Sequence, residues 1–168
     1  MRVLWGVVAL SLTGCVVVPI GDGGLFSGPI TGSNDAQFED ETPDFFDQTQ
    51  FLALLNNERN EVSVQPAVYN ELLTEAAQDY AEYLVANDWF DHIGIDGSTP
   101  GDRVSATGYQ WAWVAENLFR GSTKESAAIQ TWMDSTAGHR EAMLEERAEE
   151  IGVGLEDTTY VLILADPL

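Results

Sequence analysis

The side chains able to do acid–base or metal chemistry in this chain are few, and the two histidines head them. His92 stands in Trp89-Phe90-Asp91-His92, and His139 in Ser135-Thr136-Ala137-Gly138-His139-Arg140. Between them Ala115-Glu116-Asn117 sets an acid inside an otherwise apolar segment. Imidazole titrates near neutrality and is a common metal ligand. Two imidazoles and a carboxylate match a three-ligand zinc site with its fourth position open. The same groups can instead activate water through hydrogen bonds alone, or can simply fix loops. Spacing does not choose among these readings, because the three residues are far apart and no HExxH-type pair exists. Glu116 is the more informative residue: a buried carboxylate is costly unless paired, and a histidine is its expected partner. Ser135, four positions before His139, is either a hydroxyl nucleophile or a cap at a helix end. No G-x-S-x-G elbow is present, and the single cysteine, Cys15, lies far from these residues in the chain.

Positioning these groups falls to elements legible from capping and periodicity. Asp47 or Thr49 caps a helix running to about Asn60, with Phe51, Leu52 and Leu55 on one stripe. Asn70 caps a second helix, carrying Leu73, Ala76, Ala77, Tyr80, Ala81 and Leu84 into Trp89-Phe90. Ser98-Thr99-Pro100-Gly101-Asp102 begins a third helix, stopped at Gly108. The aromatic-rich run from Tyr109 to Phe119 reads as a strand around Glu116. Ser122-Thr123-Lys124-Glu125 has the form of a capping box opening a helix through Trp132. A tight turn at Gly138 then presents His139 at the start of a short helix. Ile151 to Leu155 and Tyr160 to Leu164 form a hairpin, and Val161 to Leu164, apolar on both faces, is an inner strand. Helices packed on a small, mainly antiparallel sheet make an α+β domain. Trp89, Tyr109, Trp111 and Trp113 are assigned to the core.

The chain has 168 residues, 45% of them hydrophobic, which supports one domain and a tail. Seven Lys and Arg against 28 Asp and Glu give a net charge of −21, so nucleic acid is excluded as a partner. Residues 1–14 read as a secretory signal, one basic residue followed by an apolar run too short to span a bilayer. Leu12-Thr13-Gly14-Cys15 resembles a bacterial lipobox, which makes Cys15 the lipidation site and the membrane a partner through its acyl chains. Val16 follows the cysteine where an Asp would suggest inner-membrane retention; the expected location is the outer membrane. Residues 15–46 read as an acidic Gly/Pro-rich tether (Phe38, Phe45 and Phe46 excepted), and 47–168 as the folded domain.

Taken in order, the motifs of residues 50–165 resemble the CAP or SCP domain, of the bacterial kind. Leu55-Asn56 and Glu58-Arg59, then Ala76-Ala77 and Tyr80-Ala81, correspond to its first two helices. Phe90-Asp91-His92 stands where the family has Phe-Ser-His, and Ala115-Glu116-Asn117 where it has Gly-Glu-Asn. Arg103 and Gly108 fit the helix between. Trp132 with Ser135 to Arg140, Met143-Leu144 and Ile151-Gly152-Val153-Gly154 complete the series. The resemblance implies an α-β-α sandwich whose cavity is formed here by His92, Glu116 and His139, with zinc as a cofactor in some members. A second family acid falls on Ser135, with Asp134 beside it. Ala137 replaces a proline, and one extra residue separates Trp132 from His139. A binding module for a lipid, glycan or peptide is the leading expectation, ahead of a structural role. A zinc-dependent hydrolase of peptide or envelope polymer is the alternative.

Overall fold

The computed structural model describes residues 46–168; the expected signal, Cys15 and most of the tether lie outside the described residues. Five helices and four strands follow in the order α1 (Gln48–Glu61), β1 (Val68–Tyr69), α2 (Glu71–Ala86), α3 (Pro100–Ala106), β2 (Trp111–Arg120), α4 (Glu125–Met133), α5 (His139–Met143), β3 (Glu150–Glu156) and β4 (Thr159–Pro167). The sheet has the spatial order β1-β3-β4-β2, with β1 parallel to β3 and the other pairs antiparallel. It is therefore mainly antiparallel, as expected, with one short parallel strand that left no pattern in the sequence.

Alternation along β4 divides the core into two layers. Tyr160, Leu162 and Leu164 face Phe51 and Leu55 of α1, Ile129 and Trp132 of α4, and Met143 of α5. Val161, Ile163 and Ala165 face α2 and Val104 of α3. Every residue from Thr159 to Ala165 is buried, the signature of an inner strand covered on both sides. This is an α-β-α sandwich, with β2 at one edge of the sheet. On β3, Gly152 and Gly154 let α2 approach almost backbone to backbone: a Cβ at Gly152 would lie 2.0 Å from the carbonyl carbon of Leu73.

The caps hold at Asp47, Asn70 and Thr99, the last in a capping box with Asp102. The capping box expected at Ser122 to Glu125 does not form. Helix α4 starts after Lys124 with no side-chain cap, because Glu125 is buried and accepts instead from the Asp47 amide at 2.8 Å. Helix α2 also ends earlier than its apolar pattern suggests: Asn87 is its C-cap, and Asp88 at φ 46° turns the chain away. Trp89 and Phe90 consequently lie in the following loop, 39% and 46% exposed, and Trp89 is not a core residue. Phe46 packs on the core, edge-on to Phe51 and Tyr160.

Candidate functional site at the edge of the sheet

Strand β2 sends successive side chains to opposite faces. Glu116 enters the layer of α2 and α3, and Asn117 enters the layer of α1, α4 and α5. On the first face the Glu116 side chain, only 1% exposed, meets two donors. His92 Nδ1 lies 2.8 Å from Oε1, and Arg103 Nη2 donates to Oε2 at 2.7 Å. The expected Glu116–histidine pairing is present. Arg103, noted in the sequence only as fitting the third helix, completes it. A buried acid needs such a partner, but sequence could not say that α3 would turn its one arginine inward.

Arg103 also holds the loop that carries His92. Its Nη2 donates to the His92 carbonyl at 3.1 Å and its Nη1 to the Ser98 carbonyl at 3.0 Å. The guanidinium lies over the Tyr80 ring, 3.3 Å from its centroid. Its Nε is buried without a hydrogen-bond partner. The His92 ring remains 47% exposed and is raised above its ordinary pKa, first by the hydrogen bond to Glu116. A carboxylate acceptor places the proton of neutral His92 on Nδ1, leaving Nε2 outermost.

On the other face, Gly138 at φ 99° opens α5 and turns His139 inward. Asn117 Nδ2 donates to the His139 carbonyl at 3.0 Å, which ties this turn to the residue beside Glu116. Ser135 Oγ accepts from the Ala137 amide at 3.1 Å and sits 2.8 Å from His139 Nδ1. The hydroxyl can donate to Nδ1 or accept from it, according to the tautomer of His139. Ser135 thus caps the turn and orients the ring. The exposed Asp134 is the C-cap residue of α4. The pKa of His139 is lowered, first by burial and then by the charge of His92.

These groups do not complete a zinc site. The Glu116 side chain is 1% exposed and each of its oxygens already accepts a hydrogen bond, one of them from a guanidinium. Catalytic zinc takes three protein ligands and structural zinc four. Among the described residues no group of three or more His, Cys, Asp or Glu is arranged to hold a metal ion.

Comparison with known proteins places this architecture. Residues 52–162 match the family model described as CAP, cysteine-rich secretory protein family. Two relatives from Bacillus subtilis, the uncharacterized protein YkwD and the uncharacterized membrane protein YlbC, are 26% and 25% identical over 64% and 67% of this chain. The matched regions make up only 41% and 32% of those relatives. Among solved structures, an extracellular SCP-domain protein of Bacillus anthracis aligns over 70% of this chain and 39% of its own, with TM-score 0.67 and 24% identity. An outer surface protein of Borrelia burgdorferi aligns over 73% of this chain and 97% of its own, with TM-score 0.65 and 19% identity. At those identities the structural likeness is one of fold. With most of its folded part matched by the family model and each layer of the sandwich in place, the chain belongs to the CAP family.

Proposed function

We propose that this CAP domain is an exported binding module, held at the outer membrane by acyl chains on Cys15, and that its ligand docks where His92 and His139 converge. The observation that carries this reading is the saturation of Glu116 by His92 and Arg103. A general base or metal ligand needs a carboxylate open to the reacting group; the Glu116 side chain is 1% exposed and bonded through each oxygen. The groups offered to a ligand are the two ring Nε2 atoms, an acceptor on neutral His92 and, on His139, a donor or an acceptor according to its tautomer. Such a pair suits a hydroxyl, which both donates and accepts. Export agrees with the extracellular and outer-surface descriptions of the two structural neighbours. Among the described residues no helix is long and apolar enough to cross a membrane.

Zinc titration followed by dialysis and elemental analysis tests the site. The binding-module reading expects no retained stoichiometric metal in the wild type. Zinc held near one per chain, and lost in His92→Ala and in His139→Ala, would overturn it in favour of the hydrolase. For the anchor, a fatty-acid analogue should label the wild type in the producing cell and fail to label Cys15→Ser; equal labelling would remove that part of the proposal.

A further inference from the structure

A second concavity lies on the far side of Arg103 from Glu116, between α2, α3 and the loop leading into α3. It encloses about 380 Å³ and is lined by Ala76, Tyr80, Tyr83 and Ala106 within a rim of acids. The two tyrosine rings are stacked, 5.7 Å apart and 16° from parallel. Glu75 and Asp79 come from α2, one turn apart, and Asp96 and Asp102 from the opposite wall. Asp96 and Asp102 accept local hydrogen bonds from Ser98 and Thr99. None of the four is in ion-pair contact with a basic side chain among the described residues. Arg103, the one cation in the lining, is turned to Glu116 and to the Ser98 and His92 carbonyls. Beside it, the Ile95 amide donates to the Tyr83 hydroxyl, and Ile95 is 61% exposed.

We propose that this groove binds a basic peptide segment of a partner protein, a lysine or arginine entering between the carboxylates while a flanking apolar residue packs on Ile95. Charge complementarity selects this occupant. Clefts lined by one sign of charge concentrate ligands of the other, and an aromatic floor accommodates the aliphatic stem of a basic side chain. A second copy of the chain is disfavoured, because each copy carries a net charge of −21. The chain's own Glu39-Asp40-Glu41 stretch has the same sign as the rim. The groove shares only the Arg103 wall with the histidine site, and its test alters neither histidine nor Glu116.

The probe is a short fluorescein-labelled peptide of alternating leucine and lysine, followed by anisotropy against the folded protein. Glu75→Gln/Asp79→Asn should weaken binding about tenfold. A control that removes equal charge elsewhere, Glu61→Gln/Glu146→Gln, should change it by less than about twofold. Circular dichroism melts show whether each variant remains folded. Equal weakening by the two pairs would reduce the effect to general polyanion attraction and overturn the proposal. Equal binding of the peptide with glutamine at each lysine would assign the groove to an apolar ligand instead. A concentration-dependent dimer in sedimentation, lost in Tyr83→Ala, would give it to a second copy; either result overturns the basic occupant.

Discussion

Among the charged groups buried in this domain, Arg59 and Glu116 have surroundings that differ in kind. Arg59, 0% exposed, donates to the carbonyls of Gln65, Met143, Glu145 and Ala148 at 2.8 to 3.1 Å. Burial lowers its pKa, and among the described residues no carboxylate is in ion-pair contact with it. Glu116 is equally enclosed, but its partners are another ion and a half-exposed ring. Backbone carbonyls do not titrate or move independently of the fold, so Arg59 acts as a rivet between α1 and the segment from α5 to β3. An imidazole both titrates and reaches solvent, so the Glu116 cluster can pass a change at the surface to a buried charge. Burying an ion can serve architecture or a site, and the partners tell which.

The sharpest way to break this contrast is Arg59→Met. It leaves four carbonyls without their donor and should reduce unfolding stability by about 4 kcal/mol in urea denaturation. Arg59→Lys should recover little, because an ammonium cannot reproduce the planar fork. If Arg59→Met lost less than about 1 kcal/mol, the rivet would be a misreading.

Next in size is Arg103→Met, which strands Glu116 with His92 alone and should lower stability by about 3 kcal/mol. Adding Glu116→Gln to that variant removes the buried charge, and about half of the loss should return. A double variant no more stable than the single would show that Arg103 acts through packing on Tyr80 rather than through the carboxylate.

The smallest effect, and the most specific, is the opposite titration of the two histidines. His92 is raised, so its bond to Glu116 contributes stability fully present below pH 6.5 and lost as pH rises through the higher folded pKa. His139 is lowered, so its contribution is present above pH 6.5 and falls away as pH drops through the lower folded pKa. Ring-proton NMR should show His92 titrating above 6.5 and His139 below it. His92→Gln should make acidification more destabilising than in the wild type, and His139→Gln less so. Coincident titrations would mean that neither Glu116 nor the edge-strand geometry tunes the rings.

Much of the domain is written in local chemistry. Asp47, Asn70 and Thr99 cap their helices because a short polar side chain satisfies free amides at a helix start. The run from Val161 to Leu164 could only be an inner strand, and Glu116 among apolar residues required a partner. Capping logic failed at Glu125, where a long-range bond to the first helix displaced the local one, and apolar periodicity overran the end of α2 at Asp88.

From the order of its residues alone, this protein is determined to be acidic, to carry its few titrating rings in two turns, and to fold as a layered α+β domain. Those properties follow from composition, caps and periodicity, which act within a few residues. Only the tertiary structure decided that Arg103 and His92 share one carboxylate, that Asn117 ties down the turn of His139 on the other face of the strand, and that an acid-rimmed groove opens beside Arg103. Each of these depends on which strand lies at the sheet's edge and how two helices lean on it. That choice is made by packing between segments distant in the chain, where no local pattern records the outcome.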